Sequence, residues 1–277
     1  MLRYIFILFF IVIHVSASSN EAIKIKAIHK ADTVYVKALI NYRTMTYKEA
    51  ERETGDESNV RFISHIRTNI DNRTVFDAYT SPYLARFSRF TFTYICREKN
   101  DTLNISATDS KGMRITQYRK IKRYPSENYQ KKQNIGIHLI DYRKEKPDIW
   151  NEISIENAIK ELYGAKKIIL EPEPEQICGS YLMMPLKIQT GKNIRSIAIF
   201  QDHRIRPTVA IFNTPVNENN NLTLSISTER DDGRHGGEGN LTIILENTDG
   251  NLYKIIQKYV VAGMHEFCYG NEVKSDL

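Results

Sequence analysis

From residue 22 to about residue 121, apolar and polar residues alternate one by one, the pattern of strands with one buried face. Segments 22–28 (AIKIKAI), 33–40 (TVYVKALI), 60–66 (VRFISHI), 89–95 (RFTFTYI), 102–109 (TLNISATD) and 113–121 (MRITQYRKI) all carry it. Turn-forming stretches such as Lys99-Asn100-Asp101 and Asp109-Ser110-Lys111-Gly112 separate them. Six short strands at this spacing predict a β-sandwich over residues 20–122. The alternation stops at residues 123–147, a polar and basic stretch with proline near both ends, which reads as a linker.

A different period follows. In SIENAIKELYG, Ile155, Ala158, Ile159, Leu162 and Tyr163 recur at helical spacing, Ser154 is a good N-cap, and Gly164 is a natural stop. Alternation then resumes in segments 166–172, 181–189, 194–201, 208–213, 222–228, 240–247 and 251–262. The last two are joined by Thr248-Asp249-Gly250, a hairpin signal. The expectation is an all-β chain of two tandem immunoglobulin-like β-sandwiches. The second covers residues 148–265 with one short helix at its start, and a tail occupies 266–277.

The 277 residues suffice for two such units. Residues 1–17, MLRYIFILFFIVIHVSA, lie outside that scheme. One positive charge at Arg3, about a dozen apolar residues and Val15-Ser16-Ala17 make the layout of a secretory signal peptide, shorter than the ~20 residues of a membrane span. Export to the periplasm or beyond follows, with no membrane insertion after cleavage. In such a compartment the three cysteines, Cys96, Cys178 and Cys268, can form at most one internal disulfide.

The formal charge of +6 is modest, but residues 114–146 hold ten Lys or Arg against three acids. A solvated strand end and linker is the plain reading. For an exported chain an acidic protein partner fits better than nucleic acid.

Enzyme chemistry finds little support. The histidines lack metal-ligand spacing, no Cys-x-x-Cys or His-x-x-x-His is present, and neither a GxSxG elbow nor a phosphate-binding glycine loop occurs. His65 alternates with apolar neighbours and reads as a sheet-face residue. DDGRHGGEG (231–239) reads as a loop between strands. Neither a metal nor a cofactor is expected. In an immunoglobulin-type sandwich the second strand starts at the pole where the last one ends. Cys178, before segment 181–189, and Cys268, after segment 251–262, would share that pole, and a disulfide between them is one candidate fate.

Residues 22–121, especially DTVYVKALI, VRFISHI, SPYLARFSRFTFTY and DTLNISATDSKG, resemble SoxZ. Residues 148–268, from DIWNEISIENAIKELYGAKKIILEP through IRSIAIFQDHRIRPTVAIF to DGNLYKIIQKYVVAGMHEFC, resemble SoxY. The resemblance implies a fused SoxYZ-type carrier of thiosulfate oxidation, periplasmic and without an active site of its own. It also implies partner enzymes: a c-type cytochrome complex, a manganese hydrolase and a sulfane dehydrogenase. In that family a glycine-flanked cysteine on the C-terminal arm holds the sulfur, which points here to Cys268, with His265, Gly263 and Gly270 as candidate modulators. The family arm reads Gly-Gly-Cys-Gly-Gly directly after the last strand. Here that place is Gly263-Met264-His265, and Cys268 follows three residues later between Phe267 and Tyr269. A carrier thiol and a disulfide with Cys178 both stand as expectations for Cys268.

Overall fold

The period-two segments do form strands. The computed structural model describes residues 22–30, 33–71, 73–85, 88–95, 100–122, 139–180, 183–189, 193–213, 221–228, 237–261 and 273–274. β1 (Ile23–Lys30) and β2 (Thr33–Ile40) pair antiparallel over their whole length, burying Val34, Val36, Ala38 and Ile40 on one face and leaving Lys37 on the other. Next come helix α1 (Tyr47–Thr54), a 3-10 turn at Glu57–Asn59, and β3 (Ile63–Ile70), β4 (Arg73–Thr80), β5 (Ser88–Ile95), β6 (Asn100–Asp109) and β7 (Arg114–Lys122). A 3-10 turn at Pro147–Trp150 leads into helix α2 (Ile155–Tyr163), where Ser154 caps the Asn157 amide as its position suggests.

The second half adds β8 (Ile168–Leu170), β9 (Ile177–Gly179), β10 (Met184–Gln189), β11 (Ile194–Gln201), β12 (Thr208–Asn213), β13 (Asn221–Ile226), β14 (Gly237–Asn247), β15 (Leu252–Val261) and β16 (Val273–Lys274). The all-β sandwich class holds, with α1 as an element the alternation does not announce.

The strands of the two halves bond to one another, so each sheet runs through the whole molecule. One sheet has six strands in the order β1-β2-β5-β13-β10-β16. The other has ten, β7-β6-β3-β4-β12-β11-β14-β15-β8, with β9 also paired to β15. The joints are β5 to β13 (Phe90↔Leu224, Thr91↔Thr223) and β4 to β12 (Asp77↔Asn213 through Thr80↔Ala210). Between the sheets lies one apolar cluster that draws Ile66, Phe76, Phe90 and Phe92 from the first half and Leu186, Ile199, Phe212 and Leu224 from the second. Phe76 is its pivot, stacked on Phe92 at 4.7 Å and edge-on to Phe212 at 5.9 Å.

A third layer covers the other face of the ten-stranded sheet near the joint. Ala158, Ile159, Leu162 and Tyr163 of α2 form a second cluster with Tyr142, Ile149, Trp150, Tyr79, Phe200, Ile211 and Ile244. Strands β11 and β12 are therefore buried on both faces, and their sequences read as near-continuous apolar runs. Of the segment expected to be a linker, residues 123–138 lie outside the described residues, while Ile140, Tyr142 and Arg143 pack into this layer.

Candidate functional site

Two places among the described residues bear on the expected site residues: the β4–β12 joint and the pole where β9 crosses to β10. At the joint, Asp77 of β4 is fully buried. Its Oδ1 accepts from Arg67 Nε at 2.7 Å and contacts His65 Nε2 at 2.8 Å, both from β3, and its Oδ2 accepts from Asn213 Nδ2 of β12 at 2.9 Å. Asn213 also donates to the Ile140 carbonyl at 2.8 Å, which ties down the chain entering the third layer. Burial pushes the Asp77 carboxyl up, but the hydrogen bonds from His65, Arg67 and Asn213 outweigh it and hold the group below the usual aspartate range.

Aromatic rings enclose this network. The His65 ring stacks on Tyr79 at 4.3 Å, and Tyr79 meets Tyr142 edge-on at 5.7 Å. Burial raises both tyrosine hydroxyls well above their ordinary pKa, so they stay protonated. Nearby, the Arg143 guanidinium lies 3.7 Å from the Trp150 ring centroid and donates to the Thr80 carbonyl. Burial lowers its pKa to about 10, which still leaves it cationic at neutral pH. A fully buried carboxylate with both oxygens hydrogen-bonded to donors from β3 and β12 orders the joint between the halves. His65 is thus a sheet-face residue, as its alternation predicts.

At the pole, β9 pairs parallel to the end of β15, with Val260↔Cys178 and Val261↔Gly179 in register. The chain then turns sharply, bridging Ser180 to Met183, and enters β10 of the opposite sheet. Only glycine fits position 179: an added Cβ would sit 2.8 Å from Pro185 Cδ, 2.9 Å from the Met183 carbonyl oxygen and 3.1 Å from Met184 Cα. Cys178, held half-buried at this crossing, is disulfide-bonded. Its partner lies outside the described residues, as do Cys96, Gly263, His265, Cys268 and Gly270. Within the expected tail, Val273 and Lys274 join the six-stranded sheet, paired parallel to Ile188 and Gln189.

The loop DDGRHGGEG is described only from Gly237, where β14 begins. There Gly239 packs against the Tyr259 hydroxyl and Asp202, and Asp202 Oδ2 accepts from the Asn240 amide at 2.9 Å. The Asp77 network escapes sequence reading because its members lie up to 148 positions apart (213 − 65) and none belongs to a spaced motif.

Residues 23–120 match the family described as sulphur oxidation protein SoxZ, and the first half of the molecule is SoxZ-like. No curated protein matches the chain. Among solved structures it is similar to SGBP-B of the Bacteroides ovatus mixed-linkage glucan utilization locus, in complex with a mixed-linkage heptasaccharide. That match has 16% identity over 71% of this chain and 37% of that chain, with a TM-score of 0.17. A second is dimeric latent PorU from Porphyromonas gingivalis, at 9% identity over 91% of this chain and 21% of that chain, with a TM-score of 0.28. This chain spans 37% and 21% of the length of these two structures.

Proposed function

We propose that the protein is an exported, non-catalytic component of a periplasmic sulfur oxidation (Sox) carrier system, in which a SoxY-like second half is fused to the SoxZ-like first. The observation that carries this reading is the SoxZ match over residues 23–120, in a molecule whose two halves share both sheets. The partners would be the c-type cytochrome complex, manganese hydrolase and sulfane dehydrogenase of such a system. Cys268 is the group that would hold sulfur, with Gly263, His265 and Gly270 around it. A thiolate is the species that would take sulfur up.

A second reading, in which the sandwich binds partners but carries no sulfur, draws on the disulfide at Cys178. Of the two remaining cysteines, Cys96 and Cys268, this reading takes Cys268 as its partner. In this reading Cys268 is a clasp.

Peptide mapping under non-reducing conditions, followed by incubation with thiosulfate and the partner enzymes, separates the two. The carrier predicts a reductant-reversible mass increase on Cys268, absent from Cys268→Ser. The clasp predicts a Cys178–Cys268 linked peptide and no mass increase. Sulfur uptake by Cys268→Ser would rule out the carrier role of that residue.

A further inference from the structure

At one end of the ten-stranded sheet stands β7, which among the described residues pairs with β6 alone. Its nine residues, RITQYRKIK, contain no proline, glycine or acid, and their register with β6 runs without a shift. The edges at β8 and β16 are three and two residues long by comparison. The turn that starts β7 fixes which of its groups stay unpaired. The Gly112 amide donates to the Asp109 carbonyl at 3.1 Å, and the Asp109 amide donates to the Met113 carbonyl at 2.9 Å. Bonded and non-bonded pairs alternate along an antiparallel ladder, so Ile115, Gln117 and Arg119 bond to β6. Arg114, Thr116, Tyr118 and Lys120 turn their N–H and C=O groups to the open side. The same alternation holds on β6, where the carbonyl of Thr102, opposite Lys120, accepts from the Asp71 amide instead.

These four residues are all exposed, Tyr118 to 62%. Among the described residues no ion pair engages Arg114 or Lys120. β1 of the smaller sheet packs beside β7 without pairing to it. Charges on an edge strand guard it against pairing with another chain. A copy of β7 laid antiparallel about Gln117 would set Arg114 against Lys120 at both ends, and like charges directly opposite are destabilising. Against an acidic strand the same two cations become attractive, so the guard is selective.

We infer that the free edge of β7 is a docking site for an acidic, extended segment of a partner protein, which joins the ten-stranded sheet as a further antiparallel strand. That orientation continues the order of β3, β6 and β7. Carboxylates opposite Arg114 and Lys120 would pair with them, and an apolar side chain opposite Tyr118 would cover its ring. The unpaired backbone groups select a polypeptide. A small anion or a phosphate chain accepts from N–H groups but leaves every carbonyl unmet, whereas a strand satisfies both. The inference uses only the β7 edge and is independent of the fate of Cys268.

The test is amide hydrogen exchange of the full chain, read residue by residue by NMR with and without the peptide ETVTTTE, whose first glutamate then faces Lys120 and whose last faces Arg114. In the free chain the Thr116, Tyr118 and Lys120 amides should exchange quickly and those of Ile115, Gln117 and Arg119 slowly. Saturating peptide should slow the first set about tenfold and leave the second unchanged. Thr116→Pro removes an amide that the β6 ladder does not use, so it should melt near wild type and abolish the effect. Arg114→Gln/Lys120→Gln should lose about tenfold in peptide affinity, against less than about twofold for Lys48→Gln/Lys167→Gln, an equal loss of charge at exposed positions elsewhere. Thr116, Tyr118 and Lys120 amides already protected in the free chain would overturn the inference, because the edge would then be covered from within. Equal losses in the two charge variants, or undiminished binding by Thr116→Pro, would overturn it in favour of unspecific charge attraction. Tighter binding of an oligothymidylate than of the peptide would overturn it in favour of nucleic acid.

Discussion

Asp77 shows how one side chain can hold two halves of a chain in register. Its donors come from β3 of the first half and β12 of the second, and all three would lose this partner without it. Asp77→Asn keeps the shape but offers a single acceptor and turns an amide against donors. The expected loss is about 2–4 kcal/mol of unfolding free energy at pH 7, read by urea titration. The pH dependence has a definite sign. Because the folded carboxyl is held below its unfolded value of about 3.9, its contribution is full above that pH and is lost as the pH falls through the lower folded value. Wild type should therefore lose stability more steeply than Asp77→Asn between about pH 4 and pH 2. Parallel slopes would show that Asp77 carries no such linkage.

Helix α1 is where element-level reasoning from alternation runs out. Its eight residues bury only Glu49 and Ala50, so no apolar stripe marks it. Its ends are nevertheless written in the sequence. Thr46 Oγ1 accepts from the Glu49 amide, the Glu49 carboxylate accepts from the Thr46 amide at 2.8 Å, and Gly55 closes the helix at φ 78°. Ala50 then packs with Val60 and Phe62, and Arg206 from the second half lies over Tyr47 at 4.1 Å while bonding Glu57. Thr46→Ala should cost about 1 kcal/mol, seen as faster hydrogen exchange at the Ala50 and Gly55 amides, whose bonds to Thr46 and Glu51 close the first and last turns. Unchanged protection would mean that packing, not the cap, sets this helix. Strand β4 escapes the alternation for the opposite reason. Its last six residues are all buried, Asp77 among them, so RTVFDAYT lacks the one-sided pattern that marks β1 and β2. Helix α2 and the β14–β15 hairpin, by contrast, carry caps and turns that are local in sequence, and both stand where those signals put them.

At the scale of the molecule, alternation identifies sheet faces but carries nothing about which strand edges meet, and the edges decide how the two halves stand. Two separate sandwiches would each need closed or guarded edges. Here β4 and β5 of the first half pair with β12 and β13 of the second, and the apolar cluster between the sheets crosses the same boundary through Phe76, Phe90, Phe212 and Leu224. A fragment of residues 20–122 would expose both edges together with the flank of that core, an aggregation-prone combination. Expressed alone, it should fail to give a cooperatively melting monomer. Co-expression with residues 139–277 should recover a 1:1 complex by size-exclusion chromatography, because the β4–β12 and β5–β13 pairings both lie within the two pieces. A fragment 20–122 that melts cooperatively as a monomer would show that the SoxZ-like half owns its core, and that the joint is an interface between finished domains. The two outcomes separate cleanly because Phe76 belongs to the first half and packs on Phe212 of the second. In the full chain, Phe76→Ala should cost about 3–5 kcal/mol in a single concerted transition if the core is shared, and should split the melt into two steps if it is not.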